Sequence, residues 1–282
     1  MSQQLAEIQM TKEEAEAFHR EGNRLDQLLK ASDKFVRTWV EPPVPGSAMD
    51  NASKADLRET YDIAYSLIFA AEDHLRTILL IMKTGPLPGF ALYTLLRPPA
   101  EAALRCRDVV IPGLTDTQRL ARGMNERLDN LKEQLKVDRE VDPVKAQQHF
   151  DARVANLEVR AHANGITPLR KSPAHPVHAF DEPQKTDLDL FALHLPGGAG
   201  STTYRVLSAY LHSKPWVWVR RDRAQPSSDP KMALVATELN VVVFVSILNA
   251  ILDIHDTNIG YWLNLAGYPT SVWMDAKKGP AA

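Results

Sequence analysis

The chain has 282 residues, with 33 Lys and Arg against 35 Asp and Glu, a formal charge of −2 that excludes both a polybasic nucleic-acid wrapper and an acidic solubilising tail. With 44% hydrophobic and 24% charged residues, a chain of this length buries a substantial core, which excludes disorder over most of it. Its one cysteine, Cys106, excludes an intramolecular disulfide and fits a reducing interior, so the cytoplasm is the expected location.

The N-terminus lacks the basic start and apolar core of a signal peptide, since Glu7, Glu13, Glu14 and Glu16 surround Lys12. From Thr11 to Val40, Phe18, Leu25, Leu28, Leu29, Phe35, Val36 and Trp39 recur at steps of three, four or seven, one stripe of an amphipathic helix. Pro42, Pro43 and Pro45 end it. A second helix is expected from Ser53, read as its cap with Asp56 three residues on, to about Thr84; its apolar second half suits the centre of a bundle. After Gly85 to Gly89 a third helical stretch meets Pro98 and Pro99, where a missing donor and a steric clash predict a kink or fresh start. A polar surface helix follows over Thr115–Val137, then one over Pro143–Ala163 that opens with proline at a harmless first-turn position.

Residues 164–201 carry five prolines and four glycines with no periodicity beyond a turn near Leu188–Leu193, a length of connection that tends to border a site. Helix returns over Thr202–Ser213, with Ser201 or Thr202 as cap. Trp216 to Val219 alternates like a short strand, and Met232–Asp256 is the last long helix, leaving a tail of about 20 residues. Its apolar run Leu239–Leu252 is 14 residues, short of the about 20 that cross hydrocarbon, so no membrane partner is expected. The sum is an all-α bundle of six or seven helices with one long irregular loop. Residues 1–45 form an N-terminal amphipathic helix or arm, and residues 46–282 form the bundle, including the loop 164–201. Its long apolar helices suit a homodimer face.

No dinucleotide, Walker, zinc-protease or nucleophile-elbow motif is present. The turn Pro196-Gly197-Gly198-Ala199-Gly200 could present N–H groups to an anion but lacks a P-loop lysine, and a flexible turn is its plainer reading. In the helix after it, Arg205, Ser208 and His212 stand three and seven steps apart and share one face at 100° per residue, along about 10 Å of helix. Histidine moves protons near neutral pH, and arginine binds phosphate. The plain alternative is that both make structural hydrogen bonds within the bundle.

An arginine followed after four to six residues by a histidine, on a helix of an all-α bundle, resembles the HEPN superfamily. The resemblance implies metal-independent RNA cleavage in a site shared by two subunits, with His212 as acid or base at a ribose 2′-OH and Arg205 at the scissile phosphate. The residue after the arginine, commonly polar in those nucleases, is Val206 here. Residues Leu96-Arg97 with Glu101 and Arg105, and Tyr204 to Ala209 with His212 and Trp216, also resemble a group of uncharacterised bacterial helical proteins. That likeness spans roughly residues 60–220 and brings no activity. Tyr204, Arg97, Glu101, Arg105 and Trp216 are thus the substrate-binding candidates. Arg97, Glu101 and Arg105 at four-residue spacing also read as a structural ion-pair ladder, with Glu101 facing inward.

Two other classes stand beside the nuclease. One is a non-catalytic ligand- or protein-binding module that uses apolar helix faces with Trp216 and Trp218. The other is a di-metal oxygenase drawing on Glu72, His74, Glu101, His212, Glu238, Asp253, His255 and Asp256, although the Glu-Xaa-Xaa-His pattern of such sites is missing. The leading reading needs no metal or cofactor. Its partners are a second copy and RNA or a small anion, for which residues 144–180 and Arg220, Arg221 and Arg223 supply local basic stretches.

Overall fold

A computed structural model describes residues 10–36, 41–84, 89–172, 175–212, 224–226, 233–235 and 240–278. The described residues form an all-α architecture of ten helices with two minimal antiparallel hairpins. Helix α1 (Lys12–Lys34) opens with a capping box, Thr11 accepting from the Glu14 N–H while Glu14 reaches back. Ser47, not Ser53, starts the next helix. It caps α2 (Ala48–Lys54), and Asp56 then takes a left-handed φ of 56°, which breaks the chain before α3 (Glu59–Thr84). The expected helix from Ser53 to Thr84 is therefore two helices with a turn between them.

Helix α4 (Gly89–Val110) runs on through Pro98 and Pro99 as one helix, so no fresh start occurs there. An interior proline costs about 3 kcal/mol. Against this stands the burial of Leu92, Tyr93, Leu96, Ala100, Ala103 and Leu104, the larger of which contribute about 1.5–3 kcal/mol each. Packing along α3 and α9 (Val241–Leu265) wins. Helices α3 and α4 pair as one helical hairpin and α5 (Asp116–Val141) and α6 (Pro143–Ala163) as another, and α6 has the expected bounds, with Pro143 in its first turn and Asp142 as cap. At the α3–α5 crossing, a Cβ on Gly123 would come within 2.3 Å of the Thr60 hydroxyl. Only glycine allows that approach.

The irregular stretch after α6 carries β1 (Pro168–Leu169), β2 (Ala179–Phe180) and α7 (Asp187–His194), then a 3-10 turn at Pro196–Gly198. Helix α8 (Gly200–Leu211) begins two residues early. Ala199 stands at its start without a side-chain cap, so neither Ser201 nor Thr202 serves as one. A Cβ on Gly200 would sit 1.9 Å from the Phe191 carbonyl oxygen, so the α7–α8 corner requires glycine. The last long helix also moves. Ala233–Val235 is β4, paired with β3 (Ala224–Pro226); α9 starts after its cap Asn240, and the tail holds α10 (Ser271–Lys278). The expected strand at 216–219 lies outside the described residues.

Three buried clusters hold the helices together. One joins α1, α3, α4, α7, α8 and α9; a second joins α2, the start of α3, α5, α6 and the 164–186 strap; the third sits where α10 packs on α1 and α9, with α3 and α4 completing it. Cys106 lies in the third, fully buried, and burial pushes its thiol up to about 12. Helix α9 is the one helix among the described residues long and apolar enough to cross a bilayer, and 56% of that apolar window is buried against protein.

Candidate functional site

Helix α8 packs on the N-terminal half of α4. Tyr210 stacks on Tyr93 with ring centroids 4.3 Å apart, and the Tyr93 hydroxyl donates to the Asn240 carbonyl oxygen at 2.7 Å. Leu207, Ala209 and Tyr210 face the core, and Val206 packs partly against it, which explains why an apolar residue follows Arg205. Arg205 and His212 lie on the opposite, exposed side, with Ser208 half-buried between them. His212 is the C-cap residue of α8, its own N–H donating to the Ser208 carbonyl. Among the described residues neither Arg205 nor His212 makes an ion pair or side-chain hydrogen bond.

The substrate-binding candidates fall into two places. Arg97 pairs with Glu101 at 2.5 Å and lies over the Tyr204 ring, 5.2 Å from its centroid, so these three meet between α4 and α8. Arg97 Nη1 is buried there without an acceptor among the described residues. Arg105 does not continue a ladder from Glu101. It turns toward α5 and α7, donating to Glu126 at 3.1 Å, Asp129 at 3.2 Å and Asp187 at 2.8 Å. Trp216 and Trp218 lie outside the described residues.

Sequence reasoning passed over a dense polar assembly among the described residues, which fastens the strap and α7 to α4 and α5. Asp108 Oδ1 accepts from Arg122 Nη1 and His194 Nε2, each at 3.1 Å, and its Oδ2 accepts from Lys185 at 3.1 Å. A carboxylate only accepts, so Nε2 carries the His194 proton. Glu182 Oε1 takes Arg122 Nε at 2.6 Å and Lys185 at 3.0 Å. One turn along α5, Asn125 binds the main chain of Phe180 from both sides, its amide oxygen accepting at 2.8 Å and its amide nitrogen donating at 3.1 Å. Gln184 donates to the Asn125 carbonyl and accepts from Lys132. The irregular segment is thus laced down by side chains that replace the hydrogen bonds a regular element would make for itself.

The charges respond accordingly. Burial raises the Asp108 carboxyl, but His194, Lys185 and Arg122 together outweigh it and hold the group below its ordinary 3.8. Glu126 goes the other way: burial raises it, and Arg105 offsets only part of that. The signal that would have found this assembly is the row Arg122, Glu126, Asp129 on α5, spaced four and three along one face of the helix.

Of the carboxylates and imidazoles considered for metal, the fold brings Glu72 and His255 together, both fully buried, with Oε1 and Nε2 3.5 Å apart. Ser32 donates to the same Glu72 oxygen, and Arg76 approaches the other at 3.8 Å. No three His, Cys, Asp or Glu among the described residues are placed to share an ion, and Glu238 lies outside them. Two protein ligands beside an arginine are a poor cage for a cation.

No family model, curated protein or solved structure matches the chain.

Proposed function

We propose that the outward face of α8 is a metal-independent RNA-cleaving site of the HEPN kind, formed where two copies of the chain meet in the cytoplasm. The observation that carries this reading is that Arg205 and His212, two turns apart on the exposed side of α8, make no ion pair or side-chain hydrogen bond among the described residues. In the reaction, an imidazole takes the ribose 2′-OH proton and the 2′-oxygen attacks phosphorus. The 5′-oxygen leaves with a proton from a second acid, giving a 2′,3′-cyclic phosphate and a 5′-hydroxyl. Two proton transfers call for two imidazoles, and His212 from each of two copies supplies them. Arg205 meets the charge that builds on the phosphoryl oxygens, and Ser208 lies between them as a further donor.

The test is single-stranded RNA incubated with the purified chain in excess chelator. Cleavage to cyclic-phosphate ends is expected, with Arg205→Ala and His212→Ala each reducing it at least a hundredfold while the helical circular dichroism is kept. Cleavage that survives both changes sinks the site. A second reading, a non-catalytic partner-binding module, draws on Leu211, Val242 and Val243, which are 43%, 57% and 39% exposed. The Tyr93 contacts to Tyr210 and Asn240 bring these ends of α8 and α9 to one end of α4. Self-association without any turnover in the same experiment would favour that reading.

A further inference from the structure

A second basic feature lies at the other end of the α3–α4 hairpin, away from α8. Between the start of α3 and the α5–α6 hairpin is a cavity of about 290 Å³, walled by Arg127 of α5 and Arg153 and Arg160 of α6. Leu131 and Leu157, both buried, line it with apolar surface, and Glu59 is its one carboxylate. Three guanidinium groups against one carboxylate leave a net positive cleft, and its apolar wall strengthens the field there.

These arginines are positioned rather than loose. Arg160 is fixed by Glu59 and by the Asp56 carbonyl, which accepts from Nη1 at 2.9 Å. Its Nε is nonetheless buried without an acceptor among the described residues. Arg153 donates to the neutral Gln134 at 2.7 Å, and Arg127 stands 4.0 Å from Glu59, beyond hydrogen-bond reach. The pairing inside the cleft thus orders the guanidiniums but does not exhaust them. Planar forks of this kind match phosphoryl oxygens, and the donors that Arg127 and Arg153 leave open are ones a bound oxyanion would take. The volume lies at the small end of ligand cavities, so the occupant is small.

We infer that this cleft binds a small organic phosphate, with the phosphoryl group among Arg127, Arg153 and Arg160 and an apolar body against Leu131 and Leu157. The reading does not depend on the activity proposed for α8. The phosphate has two possible sources, a free ester or the end of an RNA chain, and both present the same dianion.

Calorimetric titration of the full chain with inorganic phosphate, phenyl phosphate and a short single-stranded RNA, with and without a 5′-phosphate, tests it. Saturable binding of phenyl phosphate, tighter than inorganic phosphate, is expected. Arg127→Gln and Arg153→Gln should each weaken it about tenfold without lowering the melting temperature, and Arg205→Ala should leave it unchanged. Competition by the 5′-phosphorylated RNA alone assigns the dianion to a chain end; no competition by either RNA assigns it to a free ester. Absence of saturable binding by every probe, or equal affinity in the Arg127→Gln/Arg153→Gln double variant, overturns the inference.

Discussion

Arg205 on α8 and Arg122 on α5 carry the same guanidinium, yet one is exposed with no partner among the described residues and the other is 14% exposed and spends its donors on Asp108 and Glu182. The difference separates two uses of charge in one fold. Around Asp108 every carboxylate oxygen and cation named above answers another, and the result is a fastening. On α8 the charge is left unanswered, which costs the fold little and leaves it available to something outside the chain. Removing one member of a buried, interlocked set strands its partners, whereas removing an exposed, unpaired one strands nothing.

The sharpest break between the two regions should therefore come from truncating the arginines. Arg122→Ala leaves Asp108 and Glu182 short of one of their two shared donors, and a loss of about 3 kcal/mol is expected in chemical denaturation. A loss below about 1 kcal/mol would mean that Lys185 and His194 close the gap, and that the assembly is redundant. A smaller effect, about 1–2 kcal/mol near neutral pH, is expected from Asp108→Asn, which keeps the shape and removes the charge.

That second variant also carries a pH signature. The folded state holds the Asp108 carboxyl below its ordinary value, so its contribution is complete above about pH 4 and is lost as pH falls through the lowered value. The stability gap between wild type and Asp108→Asn should then narrow steadily below pH 4. A gap that stays constant to pH 2 would assign the loss to packing rather than to charge. Glu126, raised by burial, has the opposite sign, its ionisation working against the fold as pH rises; taking the difference between the two proteins removes its effect. Smallest of all should be Arg205→Ala, whose stability is expected within about 0.5 kcal/mol of wild type. A larger loss would erase the contrast and return the arginine to a structural role.

The parts of the fold legible in the sequence are those decided locally. Helix α6 has the expected bounds because Asp142 caps it and Pro143 sits where its missing N–H costs nothing, both facts of adjacent residues. The shared face of Arg205, Ser208 and His212 follows likewise from helical angle alone. What escaped was decided by tertiary packing. Pro98 and Pro99 read as a break until the burial of their neighbours is weighed, and Ser53 read as a cap although Ser47, six residues earlier, takes that place. The assembly on Asp108 was hidden for a different reason. Its members come from residues 105–132 and 180–194, and only the fold sets Lys185 beside Asp108. Arg105, taken as a partner of Glu101, belongs to that assembly instead.

Cys106 gives the bundle a clock. It is the chain's only thiol, and at full burial, with its pKa pushed to about 12, it is silent toward alkylating reagents while α10 and its neighbours stay closed. Once the helices part it becomes an ordinary thiol, so the labelling rate of the unmodified protein counts openings of the α3, α4, α9 and α10 junction directly. A ligand seated far from that junction would slow the count only by stabilising the whole bundle, and a local change at α10 would quicken it with the rest intact. The residue that first served to exclude a disulfide thus measures, one molecule at a time, how often the core is breached.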